Sequence, residues 1–383
     1  MEKDLLSSPT PFTPPTTEEN GLSALRLIRS RRVGATTYHR LIAEHGNPCA
    51  ALAALPDVAR AAGAADYEPC PETVARAEMA AGRKAGARLL IHGAPDYPLA
   101  LHDLPDAPPV LWLRGRAELL SRPMVALVGA RNASSLGLRM ARRLAEGLGA
   151  AGYAVVSGLA RGIDAAAHDA ALPTGTLAVM AGGIDIYYPV ENAGLAGKLA
   201  KNGALLAEQP PGCEPQARHF PMRNRIISGL VRAVVVVEAA ARSGSLITAR
   251  SALDQGREVL AVPGHPFDAR AYGCNMLIRD GATLVRGPDD VLEALGPICV
   301  PASRTQPRPE TALPPAQPAP RTLGETAALH SQILNRLGPS PLAEDQLIRD
   351  IGRPAAEVGP ELLTLELDGR IQRQPGGLLA RVN

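Results

Sequence analysis

A cluster of basic side chains around one aromatic residue is the feature of this sequence best suited to binding chemistry. The segment from Pro215 to Arg232 contains no Asp or Glu, and its basic residues are Arg218, His219, Arg223, Arg225 and Arg232. Phe220 lies inside the cluster. Arginines that follow a phosphate backbone, beside a ring on which a base stacks, are typical of single-strand binding sites. A merely solvated helix face is the alternative, and the missing carboxylates disfavour it.

A glycine turn after a predicted strand offers a second place for a phosphate, in the stretch Val128-Gly129-Ala130-Arg131-Asn132-Ala133-Ser134-Ser135. A dinucleotide-binding turn requires Gly-x-Gly-x-x-Gly, and here Arg131 and Ser134 replace the second and third glycines. This argues against NAD or FAD. No Gly-x-x-x-x-Gly-Lys-Ser/Thr motif occurs either, so no nucleotide cofactor is predicted. Helix amides, the serine hydroxyls and Arg131 predict a general phosphate site, with a simple packing turn as the alternative.

The next predicted strand ends in a third candidate loop, Ser157-Gly158-Leu159-Ala160-Arg161-Gly162-Ile163-Asp164. It lacks the acidic residue that would hold a ribose, and its glycines permit close backbone approach. Asp164 is predicted to cap the following helix, and His168 lies one turn later on the same face. An acid/base pair of Asp164 and His168 beside Ser157 is the hydrolytic alternative. A capping residue plus a buried histidine explains both residues and is favoured.

Hydroxyl side chains follow the most apolar predicted strand, in Ala239-Ala240-Ala241-Arg242-Ser243-Gly244-Ser245-Leu246-Ile247-Thr248. The hydroxyls of Ser243, Ser245 and Thr248 are suited either to capping the helix or to binding a phosphate, and capping is favoured for Thr248. Ser243 and Ser245 are included among the predicted phosphate-binding residues. A serine nucleophile would need a histidine base, which the local sequence does not supply. Two roles remain open for Glu238: it orders a basic neighbour, or it acts as a catalytic acid or base. No catalytic residue is predicted.

These segments are spaced by alternating strands and helices. The predicted strands are Val125–Gly129, Ala154–Gly158, Leu177–Ala181, Ala204–Ala207, Ala233–Glu238 and Val259–Val262. The Ala233 strand has no polar alternation, which indicates burial on both faces. The fold class is therefore α/β, a doubly wound parallel sheet of the extended Rossmann-like type. Ligands of such sheets bind at the carboxyl ends of the strands, near a topological switch point.

Two further domains flank the predicted sheet domain at 86–297. Residues 1–20 are rich in Pro, Thr and Ser and are predicted to form a disordered tail. Residues 21–85 have helical periodicity and are predicted to form a small helical domain. Residues 298–324 are predicted to form a proline-rich linker. Residues 325–383 are predicted to form a winged helix, from helices at Thr326–Gly338, Leu342–Ile351 and Ala355–Gly369 and a hairpin of Arg370–Gln374 with Leu378–Val382.

Composition restricts the class of protein further. The 383 residues include 40 Lys and Arg against 38 Asp and Glu, a net charge of +2, so a nucleic-acid site must be a local patch. The five cysteines are dispersed, which predicts neither disulfides nor a metal site. The sequence has no signal-peptide pattern and no apolar run near the ~20 residues that cross a bilayer. A cytoplasmic protein without a membrane partner is expected.

The ordered set of these segments resembles the DprA/Smf family of DNA-processing proteins over nearly the whole chain. The matching segments are Asp96-Tyr97-Pro98, Pro108-Pro109-Val110-Leu111, Gly115, Gly129-Ala130-Arg131, Ser157–Asp164 with His168, Tyr188-Pro189, Phe220–Gly229, Glu238, Ser243–Ala249, Val262-Pro263-Gly264 and Gly273–Ile278. The resemblance implies a homodimer that binds single-stranded DNA, protects it and loads the RecA recombinase during natural transformation. It implies no enzymatic activity. The terminal domains resemble the family's sterile-alpha-motif-like or hairpin-helix unit and its winged helix.

The binding hypothesis places Arg131, Arg161, Arg223 and Arg225 in one pocket at the carboxyl edge of the sheet, with Phe220 available for stacking. The full set of predicted DNA- and phosphate-binding residues is Gly129, Arg131, Ser134, Ser157, Gly158, Arg161, Phe220, Arg223, Asn224, Arg225, Ser243 and Ser245. The last predicted helix, Ala355–Gly369, carries four acids and no Lys or Arg, so a protein partner rather than the DNA major groove is predicted for the winged helix.

Two alternatives stay open. One is a nucleotide N-glycoside hydrolase with Glu238 as its acid/base. Phosphoribohydrolase-like proteins with this kind of sheet carry a Pro-Gly-Gly-x-Gly-Thr loop, whereas this chain has Ala181-Gly182-Gly183-Ile184-Asp185 at the comparable stage. The other alternative is a scaffold whose main partner is a protein and whose arginines are only solvated.

Overall fold

The structure is a computed structural model that describes residues 18–61, 66–102, 104–297, 323–337, 342–354, 357–358, 361–362, 364–365, 370–374 and 378–381. It divides into two compact units, one within residues 1–299 and one within 300–383. Across the described ranges, no helix is both long and apolar enough to cross a membrane. Most of the predicted linker and most of the predicted N-terminal tail lie outside the described residues, and a helix begins at Leu323, inside the predicted linker. The first helix begins at Glu18, inside the predicted tail.

Four helices open the larger unit, as the helical periodicity predicts. They are α1 (Glu18–Arg29), α2 (Ala35–His45), α3 (Pro48–Ala61) and α4 (Glu72–Lys84). Their apolar residues form one core, in which Leu25, Leu27 and Leu41 are fully buried and Tyr38 is nearly so. Leucines and a tyrosine at helical spacing bury one face of each helix, and Val110 of the sheet belongs to the same core, so the helices and the sheet pack together.

The helices are attached to the sheet through Trp112. Its indole is buried, and a Cβ on Gly82 of α4 would lie 2.1 Å from the ring, so only glycine lets α4 approach this closely. The indole N–H donates to the Glu78 carboxylate at 3.2 Å. Arg29 of α1 pairs with the same carboxylate at 2.9 Å. One buried acid thus joins two helices to a strand of the sheet.

The central sheet has nine strands. They are β1 (Arg88–Ile91), β2 (Val110–Gly115), β3 (Met124–Val128), β4 (Ala154–Ser157), β5 (Thr176–Met180), β6 (Ala204–Ala207), β7 (Ala233–Val236), β8 (Glu258–Ala261) and β9 (Thr283–Leu284). Their spatial order is β1-β2-β6-β5-β4-β3-β7-β8-β9. In this spatial order, the seven strands from β6 through β5, β4, β3, β7 and β8 to β9 are parallel to one another. β1 pairs antiparallel with β2, and β2 pairs antiparallel with β6. The predicted doubly wound fold is confirmed.

Helices cover both faces of this sheet. They are α5 (Ser135–Ala150), α6 (Ile163–Ala171), α7 (Ala193–Asn202), α8 (His219–Leu230), α9 (Ser245–Asp254), α10 (Tyr272–Arg279) and α11 (Pro288–Leu295). The two cores use alternate residues of the same strands: Val234 and Val236 of β7 pack on one side, Val235 on the other. This explains why the strand sequence is apolar without interruption.

All six predicted strands are present within two residues of their predicted bounds. Sequence analysis missed β1, β2 and β9. β1 and β9 are the edge strands, and β9 has only two residues, both exposed. Such strands carry little apolar periodicity, which is the signal that sequence reading depends on. β2 lies inside the sheet and is buried and apolar from Val110 to Leu113, so its apolar run was an available signal.

The smaller unit contains α12 (Leu323–Arg336), β10 (Leu342–Ala343), α13 (Glu344–Ile351), β11 (Ile371–Gln374) and β12 (Leu378–Arg381). The strands form an antiparallel sheet in the order β10-β12-β11, and the predicted hairpin is confirmed. Of the predicted third helix, residues 357–358, 361–362 and 364–365 are helical, and Glu366 and Asp368 lie outside the described residues. Glu361 accepts a hydrogen bond from His330 at 2.6 Å.

His168 is a buried structural histidine on α6. Its Nδ1 lies 2.7 Å from the Thr176 hydroxyl, which itself donates to the Val155 carbonyl, so Nδ1 carries the proton. Nε2 is buried without a partner among the described residues. Burial, helped by Arg223, lowers the pKa of His168 to about 3. The favoured interpretation of a buried histidine is consistent with this geometry, and its partner is a threonine rather than Asp164.

The pKa of His168 predicts an acid sensitivity. A depressed pKa means that the unfolded chain takes up a proton below about pH 6.5 while the folded chain does not, so stability is complete above that pH and falls below it. Between about pH 7.5 and about pH 5, wild type should lose about 2 kcal/mol more unfolding free energy than His168→Asn. Urea unfolding at both pH values measures the difference. Equal losses would show that His168 is not kept neutral by the fold.

Candidate nucleic-acid interface

A cavity of about 600 Å3 opens at the carboxyl edge of the parallel strands. The chain runs from β3 through β4 and β5 to β6 on one side, then crosses to β7 on the other side of β3. The switch point therefore lies between β3 and β7. The loops after these two strands and after β4, together with α8, line this space, which we call the Arg223 cavity. A smaller cavity of about 240 Å3, the Arg161 cavity, shares Arg131, Phe220 and Arg223 with it.

Arg223 is the most unusual residue of the site, because it is a cation with only 6 % of its surface exposed. Its Nη1 donates to the Val179 carbonyl at 3.1 Å, and its buried Nε has no partner among the described residues. Burial lowers the pKa of Arg223 to about 10, with Asp164 opposing that shift and Arg131 adding to it. The guanidinium remains charged at neutral pH, and one of its buried donors is unsatisfied.

The loop after β4 is shaped around this guanidinium. A Cβ on Gly158 would lie 1.6 Å from the Arg223 Nη1 atom, so the absence of a side chain at 158 makes room for the cation. Asp164 Oδ2 accepts from the amides of Gly158 and Ala160 at 3.1 and 3.3 Å. The predicted helix-capping role of Asp164 is wrong, because the carboxylate ties down the preceding loop from inside the first turn of α6. Its charge also opposes that of Arg223.

The same loop is held from its other side and packs tightly on the turn after β3. Asn192 donates to the carbonyls of Leu159 and Ala160 at 2.9 and 3.1 Å. Leu159 has a φ of 58°, a conformation that non-glycine residues adopt only when their surroundings impose it. Gly162, with a φ of 74°, lies so close to the Ala130 carbonyl that a Cβ would be 2.2 Å from it. The two loops are therefore fixed relative to each other.

Arg131, Phe220 and Tyr188 form an exposed wall of the site. The Arg131 guanidinium carbon lies 5.3 Å from the centre of the Phe220 ring, within the range of a cation–π contact. Phe220 also meets Tyr188 edge to face, with ring centres 5.9 Å apart. Tyr188 is 47 % exposed. A charge and two partly exposed rings at one edge provide stacking surface beside a phosphate ligand.

The opposite wall comes from the loop after β7 and the start of α9. The hydroxyls of Ser243 and Ser245 lie 2.7 Å apart, and both residues line the Arg223 cavity. Arg242 and Arg270 line it too, and sequence reading did not single them out. Arg242 is exposed and has no ion pair among the described residues, whereas Arg270 is paired with Asp268 at 3.0 Å. Arg242 adds a free cation to the site.

Ser134 is not available to a phosphate. Its hydroxyl and its amide both donate to the Glu238 carboxylate, the amide at 2.9 Å, and the hydroxyl caps α5 by accepting from the Gly137 amide at 2.9 Å. The Ser134 amide, at the start of α5, was expected to be free for a phosphate but already faces the Glu238 carboxylate. Glu238 lies outside the Arg223 cavity and binds Ser134, which is not the basic neighbour that one of the two hypotheses expected, and its catalytic alternative stays a hypothesis.

The Ser157 hydroxyl is unavailable as well. It is fully buried and donates to the Leu127 carbonyl at 2.6 Å, between two strands of the sheet. Gly129 lies at the edge of the cavity, and its role is steric. A Cβ there would be 2.7 Å from Ile163 and 3.0 Å from the Glu238 carbonyl. Both positions shape the site without offering it a side chain.

Arg225 does not line either cavity, which departs from the predicted four-arginine pocket. Its side chain is 14 % exposed and pairs with Glu208 at 2.6 Å and with Asp106 at 3.4 Å. It also donates to the Asp106 carbonyl at 2.6 Å. The carboxylates that the segment itself lacks come from residues distant in the sequence. Arg225 is therefore a structural cation.

Two more basic residues of the cluster have structural contacts. Arg232 donates to the Tyr153 hydroxyl and to the Leu295 carbonyl, at 3.1 and 2.6 Å. His219 is buried, and burial together with Arg218 lowers its pKa, so it adds no positive charge at neutral pH. Asn224 lines the Arg223 cavity. Arg161 is exposed, lines the Arg161 cavity and lies 3.7 Å from Glu191.

The fold and the cavity define a Rossmann-like protein with a cationic cleft at the switch point and a carboxylate where a dinucleotide would place its phosphates. Residues 88–296 match the family model of DNA recombination-mediator protein A. Residues 18–81 match the DprA-like N-terminal HHH domain, and residues 314–377 match the DprA winged helix domain. The chain belongs to the DprA family, and the resemblance seen in its sequence is confirmed.

Individual relatives agree with this assignment. DNA processing protein DprA of Bacillus subtilis is 44 % identical over 220 residues, which are 57 % of this chain and 74 % of the relative. The structure of DprA from Streptococcus pneumoniae is similar with a TM-score of 0.56 and 34 % identity, over 72 % of this chain and 93 % of that one. DNA processing protein A of Helicobacter pylori, whose structure addresses its single-stranded DNA binding mode, is similar with a TM-score of 0.51 and 28 % identity. The similarity covers 55 % of this chain and 97 % of that one.

The contact between Gly158 and Arg223 predicts the effect of one methyl group. Gly158→Ala should keep the fold but displace the guanidinium from the Val179 carbonyl, at a cost of about 1 kcal/mol for the lost hydrogen bond. Gly244→Ala is the matched control, because that residue borders the same cavity and a Cβ there meets nothing within 4 Å. Urea unfolding and a crystal structure of each variant check this. An undisplaced Arg223 in Gly158→Ala would contradict the packing argument.

The environment of Arg225 predicts a structural variant. Arg225→Ala should lower the unfolding free energy by about 3–5 kcal/mol, because it leaves the buried Glu208 carboxylate without a partner. In the double variant with Arg225→Ala and Glu208→Gln, part of the lost unfolding free energy should return, because the side chain at 208 then has no charge that needs a partner. Denaturant unfolding of the single and double variants measures both effects. A stable Arg225→Ala protein would show that the pair is not important for the fold.

Proposed function

We propose that this chain binds single-stranded DNA through the Arg223 cavity, with Arg223 and Arg131 on phosphates and Phe220 stacked on a base. The observation that carries the proposal is a buried, charged guanidinium at the wall of an open cavity, which Arg131 and Arg242, two exposed arginines without ion pairs among the described residues, also line. Positive charge clustered in a cleft attracts an anionic ligand. The relative from Helicobacter pylori, described for its single-stranded DNA binding mode, supports the same ligand.

The hydrolase alternative receives no support from the described residues. Glu238 is held by Ser134, and His168 is buried against Thr176 with a pKa near 3. An N-glycoside hydrolase would need a carboxylate facing the bound sugar. The carboxylate that does line the Arg223 cavity, Asp164, already accepts two backbone amides and faces Arg223. We therefore propose a binding protein and not an enzyme.

Beyond binding, we infer that the chain protects incoming DNA and loads RecA onto it during natural transformation, as its family resemblance implies. A cavity with three or four cations holds few phosphates, so one site alone is weak at physiological salt. A homodimer would present two cavities to one strand and raise the affinity without new contacts. The winged helix, whose Glu361 pairs with His330 and whose Glu357 lies 3.5 Å from Arg353, is proposed to contact a protein.

The deciding experiment compares Arg223→Ala with wild type on a short oligothymidylate of about five nucleotides. Arg223→Ala should weaken binding at least tenfold, and the slope of log affinity against log salt should become less steep by about 0.7, the value for one phosphate contact on a single strand. Fluorescence anisotropy across a salt series measures both. Arg225→Ala, assayed where it is folded, is the control and should keep its affinity. Unchanged binding by Arg223→Ala would refute the proposed site.

A further inference from the structure

We propose that single-stranded DNA continues beyond the Arg223 cavity along the outer face of α5, held by Arg139, Arg142 and Arg143. All three residues are exposed, and each borders a second cavity of about 620 Å3, the α5 cavity. The inference rests on the proposed function, since it extends the same strand. It adds a second segment to the binding site, with its own cations and its own aromatic residue.

The two sites are connected by a continuous surface. A depression of about 470 Å3 between α5 and α6 is lined by both Arg131 and Arg142. Arg131 also lines the Arg223 cavity, and Arg142 also lines the α5 cavity. A strand that leaves Arg131 therefore meets Arg142 without crossing a ridge of other elements. Successive arginines along one surface are what backbone tracking requires.

The charge of this surface is not cancelled by neighbouring acids. None of the three α5 arginines has an ion pair with any residue that the structure describes. Glu238 is engaged by Ser134, and Asp268 by Arg270. Asp169, at the depression between α5 and α6, lies 3.8 Å from Lys198. Glu146 is the remaining acid at the α5 cavity, so three arginines face one uncommitted carboxylate.

An aromatic residue lies at the far side of the α5 cavity. His265 lines the cavity, and the ring of Phe267 is 5.5 Å from it at 38°. Phe267 is 94 % exposed, more than any other large apolar side chain in the described chain. A phenylalanine in water with free cations nearby fits unpaired bases, which have exposed faces for stacking, better than a duplex, whose bases are already stacked. This favours single-stranded DNA over duplex.

The position of Glu238 explains why the strand would follow the side of α5. The amide end of a helix attracts phosphate, but here the Glu238 carboxylate occupies it through Ser134. A phosphate at that end would be repelled by the carboxylate. The α5 arginines lie one to two turns further along the helix, where long side chains extend into solvent and reach a backbone passing outside.

The test uses the full-length protein and two strand lengths. Replacing Arg139, Arg142 and Arg143 by Ala should weaken binding of an oligothymidylate of about 20 nucleotides by roughly tenfold to a hundredfold at ~0.1 M salt, and make its salt slope less steep by about 2. The same variant should bind an oligomer of about five nucleotides like wild type, since that length fills only the Arg223 cavity. Alanine is a strong helix former, so α5 should remain folded.

The matched control removes three other exposed arginines, Arg40, Arg60 and Arg76, whose side chains are 66 %, 66 % and 62 % exposed on α2, α3 and α4. It changes the net charge equally and should leave both strand lengths unaffected. Phe267→Ala should weaken only the longer strand, severalfold, because it removes one stacking position.

The outcomes separate the two proposals. If the α5 variant binds the long strand like the control, the strand does not follow α5, and the Arg223 site stands. If it loses duplex of equal length as strongly as single strand, the surface is a general polyanion patch and the inference is overturned. If Arg223→Ala leaves both strand lengths unchanged while the α5 variant loses the long one, the proposed function of the Arg223 cavity fails and α5 alone carries the binding.

Discussion

The burial of one charged guanidinium organises the site. Removing Arg223 from water is costly, and the protein offsets that cost only in part, with the Val179 carbonyl and the charge of Asp164. Asp164 in turn holds the loop that Arg223 packs against, and that loop needs a glycine at 158 to leave space. The cation, the carboxylate and the loop are therefore one unit at the wall of the cavity.

The switch point between β3 and β7 brings three loops together, and the Glu238 carboxylate determines which of their groups remain available to a ligand. In a dinucleotide-binding sheet the amides after the first strand face a pyrophosphate. Here Glu238 reaches across from the end of β7 and accepts from Ser134, so an internal anion has taken that place. The attraction for phosphate is thereby moved from the helix amides to arginine side chains, which follow a backbone rather than enclose a single nucleotide.

Strands could be predicted from the sequence because buried parallel strands are continuously apolar, but side-chain direction could not be read from composition. Arg223 and Arg225 are two residues apart on α8, about 200° around the helix. One faces the cavity and the other faces Glu208. Helical spacing was the available signal, since Phe220, Arg223 and Ile227 recur at intervals of three and four and all line the cavity. The partners of Arg225 are distant in sequence, so local reading could not find them.

Near-neutral composition and a strand-binding role are compatible because several acids near the proposed site and in the core are already paired. Asp268, Glu208 and Glu78 each pair with an arginine, and Glu238 accepts hydrogen bonds from Ser134. The net charge of +2 averages over these pairs, but the field at the sheet edge is set by the cations left over. The proposed DNA-binding face is therefore marked by unpaired arginines that line cavities, and not by the total charge of the chain. Arg131 and the three α5 arginines are unpaired cations of this kind, and the proposed path of the strand follows them.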